Sequence, residues 1–487
     1  MRLKLVLLAG LLAGLLAVVS PATRSLAQPL PELGDAAGAA IAPQVERRIG
    51  ESIVRDIRER DPSYMDDAEV ARYLDGLGRR LLGAVPGARQ DFEFFAMRDA
   101  AINAFALPGG FIGVHSGLLT AAASESEVAS VLAHEIAHVS QRHVARMIGV
   151  QQQMQLPSMI ALAAAILLGR SRPDLAAGAA AAAQAGAVQQ QLSYTRDFER
   201  EADRVGFQTL AAAGFDVHAM PSFFEKMQRQ ARVADDGTMP SYLRTHPMTA
   251  ERIADAGSRA SGASYRQHLD SLEFHLVRAK LRAEGGEPLA AVAHFAAAVR
   301  DRRYANEAAA RYGLVAAQLR ARQVREAQSG LAGLRATGAA SPMIEALAAR
   351  VQQASGDAAG ARVTLRQALQ RFPDWLPLVY DHAEDLRQAG RQAEALASLA
   401  EPLRQNPRDL RLRALRAQLY AGLGKRLLQH QAQAELYVLR GSLPAAIEQL
   451  QLAQVSGDGN FYELSVVEAR LKELRALHAQ ELKDLKR

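Results

Sequence analysis

Apolar residues recur every three or four positions through most of this chain, which predicts a mainly α-helical protein. From Val45 to Leu82, in VERRIGESIVRDIRERD and then DAEVARYLDGLGRRLL, the pattern predicts two helices split near Asp61-Pro62. The period then changes. Short apolar runs at Phe92–Met97, Ile102–Phe105 and Phe111–Val114 read as strands, with Pro108-Gly109-Gly110 as the turn between the last two. A helical period returns over Ser124–Arg146, where Val128, Val131, Leu132, Ile136 and Val139 keep the spacing and Ser124 with Glu127 matches a capping box. A further helix runs on from Tyr194 through EREAD into RVGFQTLAAAGF.

Residues 147–193, between those two helices, hold two Ala-rich apolar pieces of about fourteen residues each, shorter than the roughly 20 that span a bilayer. They read either as a helical pair or flap over a cleft, with a peripheral membrane contact, or as an ordinary buried hairpin. A transmembrane hairpin is the third reading. After about Ser264 the composition shifts to Ala, Leu, Arg and Gln, with almost nothing that favours strands. Gly356, Gly390 and Gly424 stand 34 residues apart, as do the Phe372-Pro373 and Asn406-Pro407 pairs. That period predicts tetratricopeptide repeats, with looser spacing around Gly286 and Arg322. Such an array stacks into a solenoid whose concave face holds peptides or proteins. The expected domains are therefore an α+β unit with a small sheet over 28–263 and an α-solenoid over 264–487.

The first 27 residues have a basic start at Arg2 and Lys4, an apolar stretch from Leu5 to Val19, and small residues up to Ala27. They read as an export signal cleaved near Ala27, with an uncleaved anchor as the alternative. With no Cys in 487 residues, disulfides, thiolate ligands, cysteine nucleophiles and a lipid-modified N-terminus are all excluded. Any metal must be held by His and carboxylates. The net charge of +6 is spread along amphipathic helices, three of its basic residues lie in the leader, and there is one Trp, so no nucleic-acid groove is expected.

The chemistry concentrates on His134-Glu135-Ile136-Ala137-His138, an HExxH match. On a helix His134 and His138 stand one turn apart on one face, so their imidazoles can converge on one ion. Glu135, one step round, is badly set as a third ligand and well set to take a proton from water activated at that ion. Glu199 and Asp203 are four apart on the later helix and share a face. Glu199 can complete a His-His-Glu zinc shell, and Asp203 can accept the outer ring proton of a ligand histidine. His115 and His143 read as solvent-facing or supporting residues. Thr245-His246-Pro247 offers a loop histidine that either donates a hydrogen bond to an oxyanion or takes the fourth metal position and shuts the site.

In this order, NAFALPGG, HEIAH and EREAD resemble the HtpX-like and Ste24-like zinc endopeptidases, and His246-Pro247 looks like that family's late His-Pro motif. The resemblance implies a gluzincin-type fold, one Zn2+ per chain held by His134, His138 and Glu199, and Glu135 as the base. It also implies that the strand after Asn103, with Ala104, Phe105, Gly109 and Gly110, lines the substrate cleft. Joined to tetratricopeptide repeats, the signature resembles the beta-barrel assembly-enhancing branch of the family in the Gram-negative periplasm. That branch implies degradation of misfolded or stalled outer-membrane proteins, help in their assembly, and contact with the outer-membrane assembly machinery through the repeats. The rival expectation is a periplasmic chaperone or assembly adaptor in which the repeats do the work and the zinc site is latent.

Overall fold

The computed structural model describes residues 41–85, 91–149, 195–233, 242–243, 246–264 and 266–484. The proposed export signal, Thr245 and all but the first three residues of the Ala-rich stretch 147–193 lie outside the described residues. The two helices expected before the sheet are Pro43–Arg60 (α1) and Ala68–Leu82 (α2). Helix α1 opens on a proline, whose missing N–H costs nothing in a first turn. Asp67 starts α2 by accepting the Glu69 and Val70 amides.

Four strands form one sheet in the order β1-β2-β4-β3: Tyr64–Met65 (β1), Glu93–Met97 (β2), Ala104–Leu107 (β3) and Phe111–His115 (β4). Strand β1, two residues long, is too short to leave a pattern in the sequence. Strands β2 and β4 run parallel, while β3 pairs antiparallel with β4 across the Pro108-Gly109-Gly110 turn. Side chains alternate between two cores. Phe95, Met97, Phe105, Leu107 and Phe111 pack with Val54 of α1, whereas Phe94, Ala96, Ala104, Ile112 and Val114 join the main core with α2. The sheet is thus covered on both faces, and β3 forms one of its edges.

Ser116–Ala121 (α3) leads into Glu125–Ser140 (α4). The Ser124 hydroxyl accepts the Glu127 amide at 3.3 Å, while the Glu127 carboxylate accepts the Ala123 amide at 2.7 Å. The helix expected to reach Arg146 stops at Ser140. Arg142 takes the left-handed conformation (φ 54°), and a short helix, α5, restarts over 143–149. No Gly or Pro announces this break. The Arg142 side chain holds it, reaching Glu46 Oε2 at 3.1 Å and the Ile41 carbonyl at 2.5 Å. Helix α6 covers 195–212, followed by Ala219–Val233 (α7) and Ala250–Ser261 (α8).

Twelve further helices lie in six hairpins among the described residues. Their first members are Leu272–Glu284 (α9), Glu307–Arg320 (α11), Pro342–Ala354 (α13), Leu376–Gln388 (α15), Leu410–Gly422 (α17) and Leu443–Gln454 (α19). Each is followed by its partner: Pro288–Arg300 (α10), Val324–Arg335 (α12), Ala358–Arg371 (α14), Gln392–Gln405 (α16), Arg426–Leu439 (α18) and Phe461–Asp484 (α20). The loosely spaced first units are regular hairpins too. The array is not a separate bead, because Tyr73 and Leu74 of α2 share one core with Phe274, Tyr312, Met343 and Leu378 of the hairpins' first helices. Charges reinforce the junction: Lys280 Nζ lies 2.6 Å from Asp67 and also contacts Glu69, and Arg350 reaches Glu69 at 2.7 Å.

Candidate metal centre

Helix α4 runs through the middle of the main core, so its polar motif is buried: His134 and Glu135 are both 0% exposed. Two ionisable side chains in that setting need partners. Helix α6 supplies them, and it comes close because position 206 is glycine, where a Cβ would stand 3.0 Å from the His134 backbone nitrogen. Glu199 and Asp203 thereby face the two histidines.

Four residues converge. Ligand atoms of His134, His138, Glu199 and His246 all lie within 4.8 Å of one another. The Nε2 atoms of His134 and His138 are 3.0 Å apart, and Glu199 places Oε2 at 3.4 Å from the first and Oε1 at 3.4 Å from the second. His246 brings Nδ1 to 3.0 Å from Glu199 Oε1 and 3.4 Å from His134 Nε2, and it stacks on buried Tyr242. On the outer side of His134, Nδ1 meets Asp203 Oδ1 at 3.0 Å.

Protonation follows from burial and these contacts. For Glu199, burial pushes the pKa up, but hydrogen bonds to His134, His138 and His246 hold it well below the usual range. Burial would also discharge His134, yet Asp203 and Glu199 raise it to about 10. Its neighbour His138 is pushed down to about 3 by burial, which the Glu199 hydrogen bond only partly offsets. The cluster therefore keeps an anionic carboxylate, and the same Asp203 and Glu199 that favour a proton on His134 would favour a metal cation in that proton's place. Burial raises Glu135, against the pull of His246 and His134. Its carboxylate has only loose partners: the Ala106 backbone acts on it as a donor, and His246 Nε2 lies 3.5 Å from Oε1. Three imidazoles, one carboxylate and a spare carboxylate beside them fit a divalent metal of the zinc type.

Arg252, five residues after Pro247, is a site residue that no sequence motif marks. It grips both oxygens of Asp203, at 2.7 and 2.8 Å, and reaches Glu199 Oε2 at 2.8 Å. Buried carboxylates four apart on one helix face imply such a cation, and that was the available signal. His115 lies away from the cluster, 3.3 Å from Asp99. Buried His143 touches His138 directly. Among the expected cleft residues, Asn103 uses its carbonyl to accept the His115 amide. In the antiparallel ladder Asn103 and Phe105 therefore face β4, and the main chains of Ala104 and Ala106 face the outer edge. Ala106 was missed because hydrogen-bonding parity needs the register. Gly109 and Gly110 form the turn at φ 77° and 98°. Between this edge and the end of α4 lies a cavity lined by Ala106, Leu107, Gly109, His138, Val139 and Arg142.

Residues 68–260 match the sequence profile of Peptidase family M48. This segment is an M48 peptidase domain. The beta-barrel assembly-enhancing protease of Escherichia coli (strain K12) is 37% identical over 280 residues, 57% of each chain. A Vibrio cholerae protein named for the same activity is 40% identical over 270 residues, 55% of each chain. The mitochondrial metalloendopeptidase OMA1 of Arabidopsis thaliana is 30% identical over 206 residues, 42% of this chain and 39% of that one. The chain spans about half the length of the curated relatives it matches. The M48 domain encloses α2 to α8, and with them every residue of the metal cluster. No helix among the described residues is long and apolar enough to cross a membrane.

Proposed function

We propose that the M48 domain is a zinc-dependent endopeptidase, with His134, His138 and Glu199 as the ligands. The observation that carries this reading is the convergence of those three ligand groups beside the buried carboxylate of Glu135. Zinc held there supplies Lewis acidity toward a peptide carbonyl and eases the ionisation of water. Glu135 takes the proton of the attacking water on its carboxylate and hands it to the departing amine nitrogen. Asp203 fixes the ring of His134 through Nδ1, and Arg252 keeps Asp203 and Glu199 ionised in a buried setting. The outer edge of β3 offers main-chain groups of Ala104 and Ala106 to an extended substrate, a mode that reads little sequence and suits unfolded chains.

The relatives are named for enhancing beta-barrel assembly, which supports a role in that process here. We extend it to unfolded or stalled outer-membrane proteins as substrates, the repeats as the contact to the assembly machinery, and the periplasm as the place of action. A latent site acting beside a repeat-based adaptor is the second reading. It is favoured by His246, which stands inside the ligand group and leaves the shell no open position.

The test uses casein and a misfolded barrel protein as substrates, with and without chelator. Wild type is expected to cleave and chelator to stop it. The Glu135→Gln protein should lose roughly 10²–10⁴-fold in rate while keeping one zinc by elemental analysis. Undiminished cleavage by that variant would overturn the assignment of the base, and a chain without zinc would overturn the whole reading.

A further inference from the structure

We propose that His143 is a positioning residue for the metal ligand His138, acting through a neutral histidine relay that ends on Glu201; the inference rests on the metal reading above. Its basis is the unusual end of α4. The helix stops at Ser140, Arg142 turns left-handed at φ 54°, and its guanidinium is fastened to Glu46 and to the Ile41 carbonyl. A continuous helix would carry position 143 past His138. The break instead sets the two rings 4.8 Å apart at 82°, with Nδ1 of one 2.9 Å from Nδ1 of the other.

His143 is locked on its remaining sides. It is 3% exposed, its ring stacks on Phe198 at 4.7 Å and 17°, and its Nε2 lies 3.2 Å from Glu201 Oε2. Glu201 is itself held by Arg146 at 2.7 Å. Although it lies two residues from Glu199, Glu201 engages His143 and Arg146 instead of the ligand group.

The hydrogen bonds permit one tautomer per ring. His138 turns Nε2 toward His134 and Glu199, so a metal takes that lone pair and the His138 proton must sit on Nδ1. That N–H donates to His143 Nδ1. His143 then carries its own proton on Nε2 and donates it to the Glu201 carboxylate. A cationic His143 would oppose two N–H groups across 2.9 Å, so the contact itself selects the neutral ring. The two ligand histidines are therefore oriented differently. His134 leans on a carboxylate directly, while His138 leans on a neutral ring and is the less basic ligand.

The experiment measures Zn2+ affinity of the full chain by chelator competition. It also records the tautomers of 15N-labelled histidine in the zinc-loaded protein. His143→Phe keeps the stack on Phe198 and removes the acceptor; its affinity should fall about 10–100-fold. His143→Asn restores an oxygen where Nδ1 accepts and should recover most of the loss. The spectra should show the proton on Nδ1 of His138 and on Nε2 of His143. Equal affinity of wild type and both variants overturns the inference alone, and so does a failure of Asn to rescue. Should His143→Phe fail to fold, the wild-type spectra decide: a proton on Nδ1 of His143 overturns the relay. A wild type that binds no zinc overturns the metal reading together with this one.

Discussion

His246 separates two chemistries that its sequence context leaves open. As an oxyanion donor it would stand off the ligand group and face the substrate. In the structure its Nδ1 is 3.0 Å from Glu199 Oε1, and the residue belongs to the cluster of four. We therefore expect His246→Ala to raise casein cleavage, by about tenfold for each 1.4 kcal/mol by which the histidine favours the closed shell. A fall of about 10²–10³-fold in the same assay would instead mark an oxyanion donor. At this scale the sequence was informative where residues share a helix. His134 with His138, and Glu199 with Asp203, are fixed by the 3.6-residue period. It was silent on partners brought from elsewhere: Arg252 lies 49 residues from Asp203, and Glu201 lies 58 from His143.

Elements were legible in their middles and less so at their ends. The hairpins of the array turn on residues of positive φ: Gly286, Arg322, Gly356, Gly390, Gly424 and Gly457. At Gly390 a Cβ would meet nothing within 4 Å, so the backbone angle alone (φ 73°) selects glycine. Gly390→Ala should cost about 1–2 kcal/mol, the left-handed penalty of an L side chain. Arg322 already carries that penalty at φ 60°. Arg322→Gly should gain up to about 1 kcal/mol, because relief of strain exceeds the extra chain entropy of glycine. Urea denaturation measures both, and a destabilised Arg322→Gly protein would refute the account. The 34-residue period was readable where glycine marks the turn and blurred where arginine replaces it. The end of α4 was misjudged for the same reason, since Arg142 turns left-handed with its strain offset by Glu46 and Ile41.

Across the whole molecule, the first helices of the hairpins receive the peptidase domain. Asp381 of α15 lies in that junction. Burial raises its pKa to about 6, against the pull of Arg350 and with further help from Glu69. The sign follows directly: above pH 6 the folded chain holds an ionised group it disfavours, whereas the unfolded chain ionises freely from about pH 3.8. This penalty is largest at neutral pH and fades as pH falls through 6 toward 4. Asp381→Asn should therefore stabilise the protein at pH 7.5, by up to about 3 kcal/mol, and the gain should vanish near pH 4. Denaturation of both proteins at the two pH values checks this, and a gain independent of pH would exclude Asp381 as the cause.

By itself the sequence determined what short-range physics writes into neighbouring residues. That comprises the helices and strands with their periods, the turn between β3 and β4, the repeat length, and the side chains that share one helix face. Tertiary structure alone decided which faces meet. It delivered His246 into the ligand group, set Arg252 between two carboxylates, turned His143 back on His138, and buried Asp67 and Glu69 against Lys280 and Arg350. The physical reason is that each of these contacts joins segments whose own backbone preferences are already satisfied. Their pairing follows from shape and charge in three dimensions, and neither is expressed in the spacing of residues along the chain.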